Sequence, residues 1–503
     1  MNRVGTANAL ILFGFIWMFA AFDAIAAESQ MAGPSSNDRQ KDAAVTGSPW
    51  SGFDDPVLND LVHRALRGNP GIDATNARIN VAEAAAEATL APMRPVVYAE
   101  GSYLLKDFDA PVTGSASNLL SFIEADNIDQ GTADLLGINL NQLRAMQNAP
   151  SPDYPNYMQT VSAALVAKYE VDITRRYRMA RQASLKEVSA SREDVQAQAM
   201  TIASLVVQNY YDVVAANKRV QLIEAQIENY EKLLQLVTAQ FNAGTATSLD
   251  VLQQRAQVES KKAQLPLAKT IVESGKLQLA ALLDVPVETL PQIPAELPEL
   301  GAAPKVQADN QLNSRLMTGR PELRAATIRL DALKIKETQA KRALLPSLAF
   351  MGKVGYGWTR INEWDGDEAW QIGATLTVPI YMGGANRTAI QLAKAQTVSA
   401  QYALENNVLQ MRTQVRAAQE RERAQREYLA ALQAQTKVSE LTVQEATRRY
   451  LAGLSNYINV LTANDVLQLN QLNLIQAERN LLSARINLLE ALGGNWTRKL
   501  VTE

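Results

Sequence analysis

One long pattern occurs twice in this chain. The stretch Ala239-Gln240-Phe241-Asn242-Ala243-Gly244, running on to Asp250-Val251-Leu252, returns as Arg448-Arg449-Tyr450-Leu451-Ala452-Gly453, running on to Asn459-Val460-Leu461, at a constant offset of 209 residues. The same offset pairs Leu265 with Leu474 and Leu283 with Leu492, while Asn69-Pro70 and Pro95 match Arg320-Pro321 and Pro346 at an offset of 251. A duplicated unit of this size dictates architecture before any motif is read as chemistry. The unit reads as helix, strand pair, very long helix, tight turn and return helix.

The longest periodic segment lies between Asp172 and Phe241. Val195, Ala199, Ile202, Val206, Asn209, Val213, Ala216, Val220, Ile223, Ile227, Tyr230, Leu234, Val237 and Phe241 alternate spacings of four and three, a coiled-coil heptad with one polar member. At the helical rise, roughly 70 residues reach about 105 Å, more than any globular domain needs. The counterpart runs from about Ala385 to Tyr450, with Leu404, Val408, Met411, Val415 and Ala418 in the same phase. Each long helix ends at Ala-Gly, where glycine supplies a left-handed cap. The second return helix carries Leu467, Leu474, Leu481 and Leu488 and closes at Gly493-Gly494; the first ends near Asp284-Val285-Pro286. Further helices are expected from about Pro56 to Ala91 and from about Pro321 to Leu345. A return helix plus one of these, stacked end to end, nearly equals one long helix at the same rise. That arithmetic describes a tall hollow bundle folded back on itself.

Between the helices lie strands. Residues Ser347 to Trp358 and Ala369 to Ile380 alternate apolar and small or polar residues, and Tyr356, Trp358 and Trp370 are expected to cluster at the hairpin end like an aromatic girdle. Weaker equivalents run from Val96 to Leu105 and from Tyr157 to Tyr169. The loop Thr359 to Glu368 is short and acidic; Lys106 to Asn156 is long, with a helical pattern around Asn118 to Ala149. Four such strands cannot close a barrel, and open edges are forbidden in lipid, so the chain must oligomerise; three copies make twelve strands.

Composition excludes much chemistry. The chain of 503 residues has no cysteine and one histidine, His63, between Val62 and Arg64 on an N-terminal helix. Disulfides, thiolate metal sites and cysteine catalysis are ruled out. No nucleophile–base pair, metal cluster or phosphate loop stands out, and a net charge of -3 without a dominant basic patch argues against nucleic acid. No cofactor is expected. Arg3, an apolar run from Ala9 to Phe22 and Ala24-Ile25-Ala26 read as an export signal cleaved after Ala26. No cysteine follows, so the site is not that of a lipoprotein.

The duplicated strand pair and hairpin, the Ala-Gly turns followed by Asp250-Val251-Leu252 and Asn459-Val460-Leu461, Leu345-Pro346-Ser347-Leu348, and Leu492-Gly493-Gly494-Asn495-Trp496 resemble the TolC family of outer-membrane efflux proteins. The resemblance covers about residues 51 to 497. It implies an α+β membrane protein: a homotrimeric twelve-stranded β-barrel, four strands per chain, continuous with an α-helical coiled-coil tunnel. It also implies the outer membrane of a Gram-negative bacterium, a periplasmic adaptor and an inner-membrane pump as partners, and passive export without catalysis. On this basis the domains are a signal peptide at 1–26, a leader at 27–50, a first repeat at 51–286, a proline-rich linker at 287–309 and a second repeat at 310–497.

The resemblance further implies a gate at the periplasmic helix tips. Asp250 and Arg255 match an acid and a base of an inter-protomer lock, and Tyr450 matches a gating tyrosine. Ser455 stands where the family prototype has a basic residue. The acidic ring of the family falls on Asn459 and Thr462, with Asp465 one helical turn further on. Amide and hydroxyl in place of ringed carboxylates remove the field that would attract cations. The turns, with Ala243, Gly244 and Thr245 in the first and Ala452, Gly453 and Leu454 in the second, are the places for an adaptor to dock. An alternative is a periplasmic adaptor or structural coiled-coil protein; an adaptor would carry one hairpin and many short strands, where this chain has two hairpins and four. The cargo and the class of pump are not legible.

Overall fold

The computed structural model describes residues 50, 53–107, 139, 141, 157–306, 308–360 and 363–494. The expected signal segment, the leader up to residue 49, the helical pattern at 118–149 apart from residues 139 and 141, and Asn495-Trp496 lie outside them. The chain divides into a sheet unit, Leu90–Arg178 with Arg342–Gly384, and a helical unit, Gly33–Thr89 with Met179–Lys341 and Ala385–Glu503.

The sheet unit is an antiparallel meander of β1 (Val96–Asp107), β2 (Tyr157–Val171), β3 (Ser347–Arg360) and β4 (Trp364–Thr377), in the order β1-β2-β3-β4. Its register sets Val97 against Ala167, Leu165 against Val354 and Val354 against Trp370, which puts Leu348, Phe350, Trp358, Ile372 and Leu376 on that same face. Most of these apolar side chains are open to the surroundings, Trp370 at 63% and Leu376 at 62%. The opposite face carries Glu100, Ser102, Thr160, Lys168, Lys353, Asp365 and Gln371. There Ser102 and Ser162 share a hydrogen bond of 2.8 Å, and Lys353 reaches Glu100 at 3.7 Å. A sheet with one exposed apolar face and one polar face is patterned for lipid on one side and water on the other. Glycine allows the close approach of β3 to β2: a Cβ on Gly355 would lie 2.5 Å from the carbonyl oxygen of Ala163.

Two expectations need correction here. β4 begins at Trp364, not Ala369, so most of the acidic stretch is strand rather than loop, and the strand ends at Thr377 rather than Ile380. Alternating Asp365, Asp367 and small residues are lumen-type positions that carry no lipid signal. Consequently Trp370 opposes Val354 and does not reach the hairpin end. Tyr356 and Trp358 do pack together there, ring centroids 4.6 Å apart, over Gly366, whose carbonyl accepts from the Tyr356 hydroxyl at 3.1 Å. Trp364, opposite Arg360, is the tryptophan nearest the turn.

The helical unit contains α1 (Pro56–Gly68), α2 (Pro70–Ala88), the long α3 (Arg176–Asn242) and its return α4 (Ser248–Leu283), then α5 (Asp309–Gly319), α6 (Pro321–Arg342), the long α7 (Ala385–Leu451) and its return α8 (Tyr457–Leu492); α3 starts within the sheet unit. Both long helices have 67 residues and both returns 36. At 1.5 Å per residue the long pair measure about 100 Å. None of the described helices is apolar enough to cross a membrane.

Where one helix was expected from Pro56 to Ala91 there are two. Proline pushes the residue before it out of the helical region, and Asn69 sits at φ -75, ψ 119. Arg320 before Pro321 does the same at φ -100, ψ 113, separating α5 from α6. Both pre-proline residues clamp the end of a return helix: Asn69 donates to the Leu282 carbonyl at 2.8 Å, and Arg320 to that of Glu490 at 2.7 Å. The duplication thus extends from sequence to tertiary hydrogen bonds. His63 is on the exposed face of α1.

Of the α3 heptad, Val195, Ala199, Ile202, Val206, Val213, Ala216, Ile223, Tyr230 and Val237 are buried, Asn209, Val220, Ile227 and Leu234 are half-buried, and Phe241 is 44% exposed. A second stripe on α3, including Ala203, Val207, Tyr210 and Val214, is also buried, because α1 and the segment around Trp50 and Phe53 pack there. Leu404, Val408, Met411 and Ala418 of α7 pack against the cluster that Val415 forms with Leu312, Leu316, Leu323, Leu488 and Leu492. Between α7 and α8, Glu422 is 2% exposed and accepts from Arg426 at 2.8 Å and Arg485 at 2.7 Å. Both arginines also donate to the Gly301 carbonyl, pinning the linker. Burial alone would push the Glu422 carboxyl up; Arg485 and Arg426 outweigh it and hold it below the usual range. Removing one partner of such a buried pair leaves the other charge uncompensated, so Glu422→Ala is expected to cost roughly 3–5 kcal/mol. Thermal melting checks this against Glu420→Ala on the exposed side of the same helix, which should leave the melting temperature unchanged.

Candidate functional site

The turns that end the long helices close through the same two backbone bonds. In the first, Gly244 N donates to Phe241 O and Thr245 N to Gln240 O, both at 2.9 Å; in the second, Gly453 N donates to Tyr450 O and Leu454 N to Arg449 O, again at 2.9 Å. Gly244 and Gly453 take φ of +78 and +69, which a side chain would strain. Ala243, Gly244, Thr245, Ala452, Gly453 and Leu454 are all exposed. Beside them Leu249, Leu252, Leu451 and Ile458 also stand open, so the tip offers apolar surface as well as backbone.

The starts of the return helices differ. Thr247 and Asp250 form a capping box: Asp250 N donates to Thr247 Oγ1 at 3.2 Å and Thr247 N to Asp250 Oδ2 at 2.9 Å. At the equivalent positions Asn456 makes no side-chain cap, and Asn459 turns its amide onto Ser455 Oγ at 2.8 Å. Thr462 bonds back to the Ile458 carbonyl of its own helix. Asn459, Thr462 and Arg255 are exposed, and Arg255 has no ion pair among the described residues. Within the chain Asp250 and Arg255 are therefore not paired with each other.

Tyr450 is buried, 8% exposed, in a cluster with Val237, Tyr457, Val460 and Leu461. Its ring lies 5.1 Å from that of Tyr457. Tyr457, the first residue of α8, donates its hydroxyl to Oε1 of Gln254 on α4, and Gln254 donates its amide to the Tyr230 carbonyl of α3 at 2.8 Å. Gln254 is completely buried and Tyr457 is 2% exposed. Burial pushes the Tyr450, Tyr457 and Tyr230 hydroxyls up, with Asp250 adding to the shift for the first two and Asp465 for the third. Asp465 is exposed on α8, one layer deeper than the turns, where it acts on Lys261 of α4. Lys261 is 5% exposed; burial pushes its ammonium down, Asp465 opposes that and Arg219 adds to it.

Tyr457, Gln254 and Lys261 were not singled out from sequence. A signal was present: Val251, Gln254, Val258 and Lys261 keep the heptad spacing of a buried seam, so two of its members are polar.

The family model described as outer membrane efflux protein matches residues 127–284 and 312–494. The chain is 26% identical over 447 residues to the pyoverdine export outer membrane protein OpmQ of Pseudomonas putida, covering 89% of this chain and 88% of the relative. It is 27% identical over 342 residues to the toluene efflux pump outer membrane protein TtgF of Pseudomonas putida, covering 66% and 69%. The solved structure of the outer-membrane channel OprN has the same fold, with a TM-score of 0.70 at 24% identity over 89% of this chain and 92% of that one.

The raised tyrosines set a pH window. The folded chain keeps protons that the unfolded chain loses above the ordinary value of 10.0, so stability is whole below that pH and falls as pH rises through it. Thermal melting should hold level from about pH 8 to about pH 10 and decline beyond, and Tyr230→Phe should soften the decline.

Proposed function

The chain belongs to the outer membrane efflux protein family, and from that premise we propose that three copies form the passive outer-membrane duct of a tripartite efflux or type I secretion assembly. The observation that carries this is the four-stranded sheet with one exposed apolar face and, among the described residues, no strand paired to the outer edges of β1 and β4. In lipid those edges need strands from another copy. Three copies close a twelve-stranded barrel in the outer membrane of a Gram-negative bacterium, its apolar face on lipid and its Glu100, Lys353 and Asp365 face on water. Tyr356, Trp358 and Trp370 serve as interfacial aromatics at two depths. The helices continue the barrel as a periplasmic tunnel. Exposed apolar residues on its flanks, Leu267 and Leu277 on α4 and Tyr402 and Val438 on α7, give neighbouring copies a seam to cover.

The gate is at the tips. Arg255, without an ion pair among the described residues, meets an acid of the next protomer, and Asp250 offers the carboxylate oxygen left over from its cap. Tyr450 packs the second hairpin behind them. Asn459 and Thr462 line the constriction without charge, and Asp465, which acts electrostatically on Lys261, is the next carboxylate along α8. The exposed turns dock a periplasmic adaptor, which joins an inner-membrane pump. Transport needs no cofactor and no catalytic group. Relatives named for cargoes as unlike as pyoverdine and toluene support a duct whose cargo is chosen by its pump. Residues 1–26 serve as the export signal and are removed.

Planar-bilayer conductance of the purified protein tests this. A small, mostly closed conductance that rises severalfold in Arg255→Ala is expected. A protein that never inserts into lipid would favour the periplasmic coiled-coil alternative.

A further inference from the structure

At the end of the sheet unit where the helices begin, positive charge and apolar surface lie side by side. Four segments meet there: 90–95 before β1, 170–178 at the end of β2, 342–346 before β3 and 378–384 after β4. Together they hold five arginines against two carboxylates. The opposite end reverses the sign, with Glu363, Asp365, Asp367 and Glu368 against Arg360 in residues 359–368.

Both carboxylates at the arginine end are already committed. Glu170 accepts from Arg176 at 2.8 Å and from the Tyr177 hydroxyl at 2.9 Å. Asp172 caps the start of α3, accepting from the backbone of Tyr177 at 3.3 Å and of Arg178 at 3.0 Å. Arg175 and Arg178 are exposed and have no ion pair among the described residues. Arg342 donates to the Thr174 carbonyl at 2.8 Å, which brings its guanidinium to the residue before Arg175. Arg175 itself sits at φ 59, and its equivalent at the offset of 209 is Gly384, at φ 85. The first repeat thus places an arginine in a left-handed conformation that the second gives to glycine. Beside these groups Ile173 is exposed, and Ile380 and Tyr381 stand open at 94% and 84%. Basic surface next to open apolar side chains complements an anionic lipid, headgroup and chains together. A neighbouring copy does not supply the missing negative charge: the segment it would bring to the β4 edge, 90–95 before β1, carries Arg94 and no acid.

We propose that Arg175, Arg178 and Arg342 form a binding site for the phosphate of an anionic glycerophospholipid, with Ile173, Ile380 and Tyr381 against its acyl chains. The proposal rests on the barrel reading given above, which turns this end of the sheet toward the periplasm and so toward the inner leaflet of the membrane. At that depth the guanidinium groups meet phosphate and the apolar side chains enter hydrocarbon. The planar fork of arginine suits phosphate oxygens. The start of α3 is not itself the anion site, because the Asp172 carboxylate already fills it. A bound headgroup at this rim fixes how deep the sheet sits in the bilayer.

The test is binding of fluorescent phosphatidylglycerol to the purified full-length protein in neutral detergent, with phosphatidylcholine as the comparison lipid. Wild type is expected to prefer phosphatidylglycerol. Arg175→Gly and Arg178→Gln should each weaken that binding by about fivefold, the factor that one arginine near an anionic surface supplies. Glycine takes the Arg175 backbone conformation without strain, so the melting temperature of Arg175→Gly should stay close to wild type and its lost binding is not lost folding. Arg360→Gln, at the other end of the sheet, should bind as wild type does, and millimolar inorganic phosphate should not displace the lipid. Equal binding of the two lipids, or a loss in Arg360→Gln as large as in Arg178→Gln, would overturn the site and leave the barrel standing. Displacement by inorganic phosphate would overturn the lipid as its ligand. A protein that never inserts into phosphatidylglycerol vesicles would sink the barrel reading, and the leaflet assignment with it.

Discussion

Everything in this protein depends on how the outer edges of β1 and β4 satisfy their backbone groups. Along both strands one row of N–H and C=O groups has no strand partner among the described residues. In water such an edge is a liability; in hydrocarbon each unpaired group costs several kcal/mol and an open sheet is not viable. The apolar face, with Trp370, Ile372 and Leu376 standing open, asks for lipid, and lipid in turn asks for closure. On the proposed reading, closure with other copies follows from these edges rather than being an addition to them.

The helical unit solves a different problem with the same duplicated parts. A helix of 67 residues has no globular core to lie on, so it must be covered along its length. Shorter helices do this in series, broken at Asn69-Pro70 and Arg320-Pro321, where the pre-proline residue reaches across to the last carbonyls of the return helix. The linker between repeats is fastened by Asn217 to the Ile293 carbonyl and by Arg426 and Arg485 to that of Gly301. The repeats also differ at the tips. One return helix has its capping box and the other does not, and the buried Tyr457–Gln254 pair occurs once.

Much of this was legible in the sequence, because long heptads and left-handed glycines are local signals. The long helices end within one residue of where the Ala-Gly turns place them. Pro70 was harder to read as a break, since proline is at home in the first turn of a helix and the apolar pattern runs across it. The start of β4 was missed because Asp365, Gly366 and Asp367 look like a loop; only their pairing with Thr359, Trp358 and Gly357 shows a strand facing water. Gln254 and Tyr457 carried a readable hint in their seam positions. Their union, however, spans 203 residues of sequence and belongs to tertiary structure alone.

The most direct test is to ask whether β1 of one copy meets β4 of the next. The chain has no cysteine of its own, so engineered pairs report without background. Ser102→Cys, combined in turn with Asp367→Cys, Gln371→Cys and Thr375→Cys, samples the polar face across that edge, and denaturing electrophoresis after oxidation in membranes reads the product. The account predicts that at least one pair gives a ladder ending at three chains. Chains that remain single in every pair, or a ladder that continues past three, would contradict it.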